Sequence, residues 1–108
     1  MRVIDAHAHF DHLKDEAEVR AVLDRAAEEG VHEVVAIGAT KGLDAAGAIP
    51  GLLEAHPRLH GTCGLHPHDA SAFDEAAGER LAALMSSHPR IVAIGETGLD
   101  YHYDFSPR

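Results

Sequence analysis

Three short stretches of this sequence carry side chains at spacings that can do chemistry. His7-Ala8-His9 places two imidazoles at i and i+2, which in an extended chain point to the same side. Both can then converge on one ion, and neutral imidazole suits zinc, manganese, iron or nickel. Asp5 and Asp11 flank the pair on the same parity, able to orient a ligand or to join one, and Asp11 equally suits the start of a helix. Glu96 stands in Ile94-Gly95-Glu96-Thr97-Gly98-Leu99-Asp100-Tyr101, where Gly95 and Gly98 permit a sharp turn. A carboxylate there, sharing a face with the two histidines, makes a mixed nitrogen and oxygen site. The third stretch is Gly64-Leu65-His66-Pro67-His68-Asp69. Pro67 holds His66 extended, so His66 could contact a substrate phosphate or carbonyl, while His68 with Asp69 could cap the next helix. Taken singly, these are surface histidines at a strand end, a loop carboxylate and turn residues. Taken together they favour a metal.

The elements that must position them follow a regular alternation. Val3-Ile4, Val34 to Ile37, Leu59 to Leu65 and Ile91 to Ile94 are short, apolar and rich in β-branched residues, as expected of strands buried on both faces. Val19, Val22, Leu23 and Ala26 recur at helical spacing, with Asp15 and Glu18 as an N-terminal cap and Gly30 as the stop. Ala77, Leu81, Leu84 and Met85 form another stripe, entered at Ser71 and closed by His88-Pro89. Between them Gly47, Pro50 and Gly51 interrupt the pattern, so only Gly51 to His56 is expected to be well helical. The order β-α-β-α-β-α-β calls for a parallel sheet with right-handed crossovers. Strands begin about 27 to 32 residues apart, close to the ~31 per unit of a (β/α)8 barrel. A chain of 108 residues cannot close such a barrel, and spacing alone leans toward a small open α/β sheet. The motifs reverse that preference.

Composition removes other classes. The hydrophobic share of 45% and charged share of 25% are globular. A net charge of −9 gives no bulk electrostatic grip on nucleic acid or anionic membrane. The single cysteine, Cys63, cannot form an internal disulfide. With no basic neighbour to activate it, it reads as a small core residue. No stretch suits a membrane span or a signal peptide, so the cytoplasm is the expected compartment. Glycine-rich phosphate loops and serine elbows are missing as well. Of the ten histidines, His12, His32, His56, His60, His88 and His102 lack partners at ligand spacing and are expected at the surface or at helix ends. Aromatics are sparse, but Tyr101, Tyr103 and Phe105 crowd the last eight residues. No broad stacking platform is visible, although Tyr101 and Tyr103 beside Glu96 could form a small one.

At this point the chain resembles a family. Ile4-Asp5-Ala6-His7-Ala8-His9-Phe10-Asp11, Gly64-Leu65-His66-Pro67-His68 and the Ile94 to Tyr101 string resemble the three N-terminal signatures of TatD-family metal-dependent deoxyribonucleases, in order and spacing. The first is shared with the wider amidohydrolase superfamily; the other two are more specific. The resemblance implies the N-terminal half of a (β/α)8 TIM barrel, about four parallel strands with intervening helices, with residues 1–108 as one incomplete hydrolase domain. It implies one or two divalent ions (zinc, magnesium or manganese) and 3′–5′ hydrolysis of DNA or another phosphodiester. By the same resemblance His7, His9 and Glu96 are metal ligands, and Glu96 and His66 are catalytic. His66, Asp100 and Tyr101 lie on the substrate side. Two further histidines and an aspartate of the family's second half have no counterpart, so weak divalent binding and little turnover are expected of these residues alone. Exposed sheet edges should then make the chain self-associate. The other readings are an amidohydrolase-type enzyme acting on amides or esters, and a non-catalytic metal-binding remnant.

Overall fold

The computed structural model describes residues 1–108. Its elements are β1 (Val3–Ala8), α1 (Glu16–Glu28), β2 (Val31–Gly38), α2 (Asp44–Ala55), β3 (Leu59–Cys63), α3 (Glu75–Ser87) and β4 (Ile91–Ile94). All strands run parallel, and they neighbour one another in chain order, β1-β2-β3-β4. Each crossover adds its strand on the same side, and right-handed connections then lay the helices on one face. A doubly wound sheet reverses its order at a switch point. This one does not, and its order is that of a barrel wall.

The core lies between β2, β3 and the helices. Val19 and Leu23 of α1, Ala46, Ile49 and Leu53 of α2, and Leu81 of α3 pack with Phe10, Val34, Ala36, Leu59, Cys63 and Ile91. The outer strands depart from expectation. Ile4 in β1 and Val92 and Ile94 in β4 are exposed rather than buried, because the helices cover only one face of the sheet.

Local signals set most helix ends. The Asp15 carboxylate accepts from the Glu18 N–H at 2.9 Å, and Gly30 at φ +93° turns the chain into β2. Two helix starts differ from the sequence reading, and β1 and β2 extend beyond the apolar segments while β3 ends at Cys63, short of Leu65. Helix α2 runs through Pro50 instead of starting at Gly51. A proline there leaves the carbonyl four residues back without its donor; that carbonyl, of Ala46, accepts from the Cys63 thiol at 3.5 Å. Helix α3 starts at Glu75, not at Ser71, because Asp74 caps it by accepting from the Ala77 N–H at 2.7 Å. Residues Pro67–Ala72 form a separate 3-10 turn.

His56 and His88 do cap helix ends, but they are buried and not at the surface. Beside them the Arg90 guanidinium donates to the carbonyls of Leu53, His56 and Leu59. It ties the end of α2 and the start of β3 to the residue that precedes β4.

Candidate metal centre

Strand β1 loses its register with β2 between Asp5 and Ala8. There the Asp5 carboxylate accepts from the His7 backbone N–H at 3.0 Å. This local bond turns the strand end so that His7 and His9 bring their Nε2 atoms to 3.3 Å. Two nitrogens bound at 2.0–2.1 Å to a tetrahedral ion lie about 3.3 Å apart.

Glu96 arrives from the other edge of the sheet. The Gly95 N–H donates to the Cys63 carbonyl at 3.0 Å, and the Thr62 hydroxyl donates to the Gly95 carbonyl at 2.9 Å. Gly64 lies so close that a Cβ on it would overlap the Gly95 carbonyl. With that close approach, Glu96 Oε2 comes to 3.4 Å from His7 Nε2 and 4.0 Å from His9 Nε2. Its other oxygen, Oε1, is 3.4 Å from His66 Nε2. Ligand atoms of His7, His9 and Glu96 all lie within 4.8 Å of one another.

His66 is oriented by its own turn. Its Nδ1 accepts from the His68 backbone N–H at 3.0 Å, so in the neutral ring the hydrogen-bond pattern puts the proton on Nε2, facing Glu96. His68 and Asp69 do not cap α3. The Asp69 carboxylate accepts from the Gly42 N–H at 3.0 Å, and His68 Nε2 lies 3.2 Å from Asp100 Oδ2.

The remaining candidates take other places. Asp100 folds its own turn: Oδ1 accepts from the N–H groups of Tyr103 and His102 at 3.0 and 2.8 Å. Those two bonds hold its carboxyl below the ordinary range. Tyr101 is exposed, with the Arg108 guanidinium 5.2 Å over its ring. Asp11 accepts from the Thr40 hydroxyl at 2.6 Å, which lowers its pKa. Sequence reading missed Thr40, and also the Gly64 approach, because both depend on segments distant along the chain. Burial pushes the Cys63 thiol up to about 11, as suits a core residue.

The donor set fits a divalent ion. Two imidazole nitrogens and one carboxylate oxygen are the ligand types of zinc and of mixed N/O sites. His9 Nδ1 is buried without a partner, so Nε2 is the nitrogen this ring offers, and it faces His7 and Glu96.

Comparison with known proteins places the chain in a family. Residues 4–108 match the family described as TatD related DNase. The chain is 37% identical over 103 residues to the uncharacterized metal-dependent hydrolase TatD of Mycobacterium tuberculosis. It is 33% identical over 113 residues to the uncharacterized metal-dependent hydrolase YabD of Bacillus subtilis. Against the 3'-5' ssDNA/RNA exonuclease TatD of Cronobacter turicensis it is 38% identical over 99 residues. These alignments cover 94%, 98% and 92% of this chain but only 38%, 40% and 35% of the respective relatives. The chain thus spans about two fifths of the length of the curated relatives it matches, and it belongs to the TatD related DNase family.

Proposed function

We propose that the protein carrying these residues is a metal-dependent phosphodiesterase acting on single-stranded nucleic acid from the 3′ end. One observation carries the reading: His7, His9 and Glu96, from the end of β1 and the residue after it and from the turn after β4, converge within 4.8 Å at the strand ends where α/β folds build their sites. These three residues hold one or two divalent ions, with zinc, manganese and magnesium as the candidates. When bound, such an ion supplies Lewis-acid polarisation of a phosphate oxygen and a lowered pKa for water.

The chain's own residues do the rest. Asp5 fixes the His7 backbone, and Glu96 divides its oxygens between the histidine pair and His66. His66, its proton held on Nε2 by the bond at Nδ1, donates to a non-bridging phosphate oxygen. Asp100 and Tyr101 border the substrate side, Asp100 by shaping the turn and Tyr101 by its exposed ring. Because the ion and His66 attract the phosphate, the acidic surface is no obstacle. No helix is long and apolar enough to cross a membrane, and we place the activity in the cytoplasm, with its nucleic-acid substrate.

Calorimetric titration with zinc or manganese tests the centre. The 108 residues should bind, and His7→Ala with His9→Ala should abolish the isotherm; an unchanged isotherm rejects the assignment. In a protein of the relatives' length, release of nucleotides from 3′ ends should require the metal and should be lost in Glu96→Gln. Metal-dependent cleavage of amides without cleavage of DNA would instead support the amidohydrolase reading.

A further inference from the structure

Beyond the metal centre, Tyr103 and Phe105 lie stacked, with centroids 5.0 Å apart and planes 17° from parallel. They are 48% and 62% exposed. His68 meets both rings edge-on, at 5.3 Å and 4.7 Å. His68 is also edge-on to His66 at 4.3 Å, and His66 faces Glu96. A continuous run of rings therefore leads from the proposed metal centre to the exposed pair.

The pair is held in place. Asp100 anchors the Tyr103 N–H, and the Ser106 hydroxyl donates to the His68 carbonyl at 2.9 Å while accepting from the Ser71 N–H at 3.0 Å. Arg108 donates to the carbonyls of Asp100 and Tyr101. Exposed apolar rings grouped beside a polar site mark a binding surface. At −9 net charge the chain exerts no bulk electrostatic attraction on a strand. Base–aromatic stacking adds grip that needs no basic surface and no particular sequence.

We propose that Tyr103 and Phe105, with His68 beneath them, form a nucleobase-stacking platform that seats the base next to the phosphate at the His7–His9–Glu96 centre. The platform rests on the reading above for its substrate class, but its test does not depend on that reading.

Tyr101 and Tyr103 are the two tyrosines of a chain without tryptophan, so intrinsic fluorescence reports this segment alone. The titration uses Tyr101→Phe, which leaves Tyr103 as sole emitter, with thymidine monophosphate, deoxyribose 5-phosphate as the baseless control, and zinc present or absent. Saturable quenching by the nucleotide and none by the control is the expected result, with roughly tenfold weaker binding when Phe105→Ala is added. Absence of quenching, equal quenching by the control, or no effect of Phe105→Ala overturns the platform. So does quenching that rises with protein concentration in step with light scattering, which would make a second copy the occupant. Because zinc binding is read separately by calorimetry, saturable quenching in a protein that binds no zinc supports the platform while counting against the metal reading. Intact zinc binding without quenching does the reverse.

Discussion

A buried thiol and a turn-forming carboxylate show how differently single side chains are set by their surroundings. Cys63 is fully enclosed, and burial pushes its pKa up to about 11, so at neutral pH it is a thiol able to donate to Ala46. It should resist a thiol reagent such as dithionitrobenzoate at pH 8 until the chain is denatured; prompt labelling of the native protein would contradict its place in the core. Asp100 is the opposite case. Its pKa is lowered chiefly by backbone N–H bonds from Tyr103 and His102. A carboxyl with a depressed folded pKa contributes order that is full above its unfolded value, about 3.9, and is lost as pH falls through the lower folded value. Tyrosine emission should therefore stay constant through mildly acidic pH and change only well below pH 4. In Asp100→Ala the altered emission should be present already at pH 7.

Among the elements, the glycine turn after β3 decides whether the centre forms. Gly64 lets the Gly95–Glu96 backbone pass against the end of β3. A methyl group there would push Glu96 away from His7 and His9. Gly64→Ala should weaken zinc binding about 10- to 100-fold, as loss of a supporting contact does in other metal sites. The far-UV circular dichroism should keep its native shape, and unchanged affinity would show that Glu96 is not positioned through this contact. Helix α2 teaches the complementary lesson. Pro50 and its glycine neighbours announce a break in the sequence, yet the helix is continuous. The carbonyl that proline leaves without a donor finds one in a residue of β3, a partner no local pattern can show.

At the scale of the whole molecule, the sheet is covered by helices on one side only. The chain has a radius of gyration of 14.3 Å, against about 13 Å for a compact domain of this length. β1 and β4 are both edge strands, and Ile4, Val92 and Ile94 stand exposed along them. Edges of this kind template pairing with another chain. Light scattering at micromolar concentration should give a mass above the monomer's 11.5 kDa; a stable monomer would mean that the edges are self-protected. The acidic surface opposes this association at low salt, so the measured mass should rise with ionic strength.

The strand starts, the alternation of elements and the family were legible in the sequence by itself, because each rests on local pattern: β-branched runs, caps at Asp15 and Gly30, and three contiguous signatures. His7, His9 and Glu96 were legible as candidates for the same reason, their residue types sitting at strand ends. Only the tertiary structure decided that Glu96 divides its oxygens between the histidine pair and His66, and that Asp100 turns inward to hold its own loop. It also decided that α3 waits for Asp74 and that Tyr103 and Phe105 stack. In each case the deciding partner or geometry, whether a hydrogen bond, a close backbone approach or a ring contact, is three-dimensional. Sequence spacing records which groups are available, while the energy of a polar or aromatic contact depends on distance and direction, which packing sets.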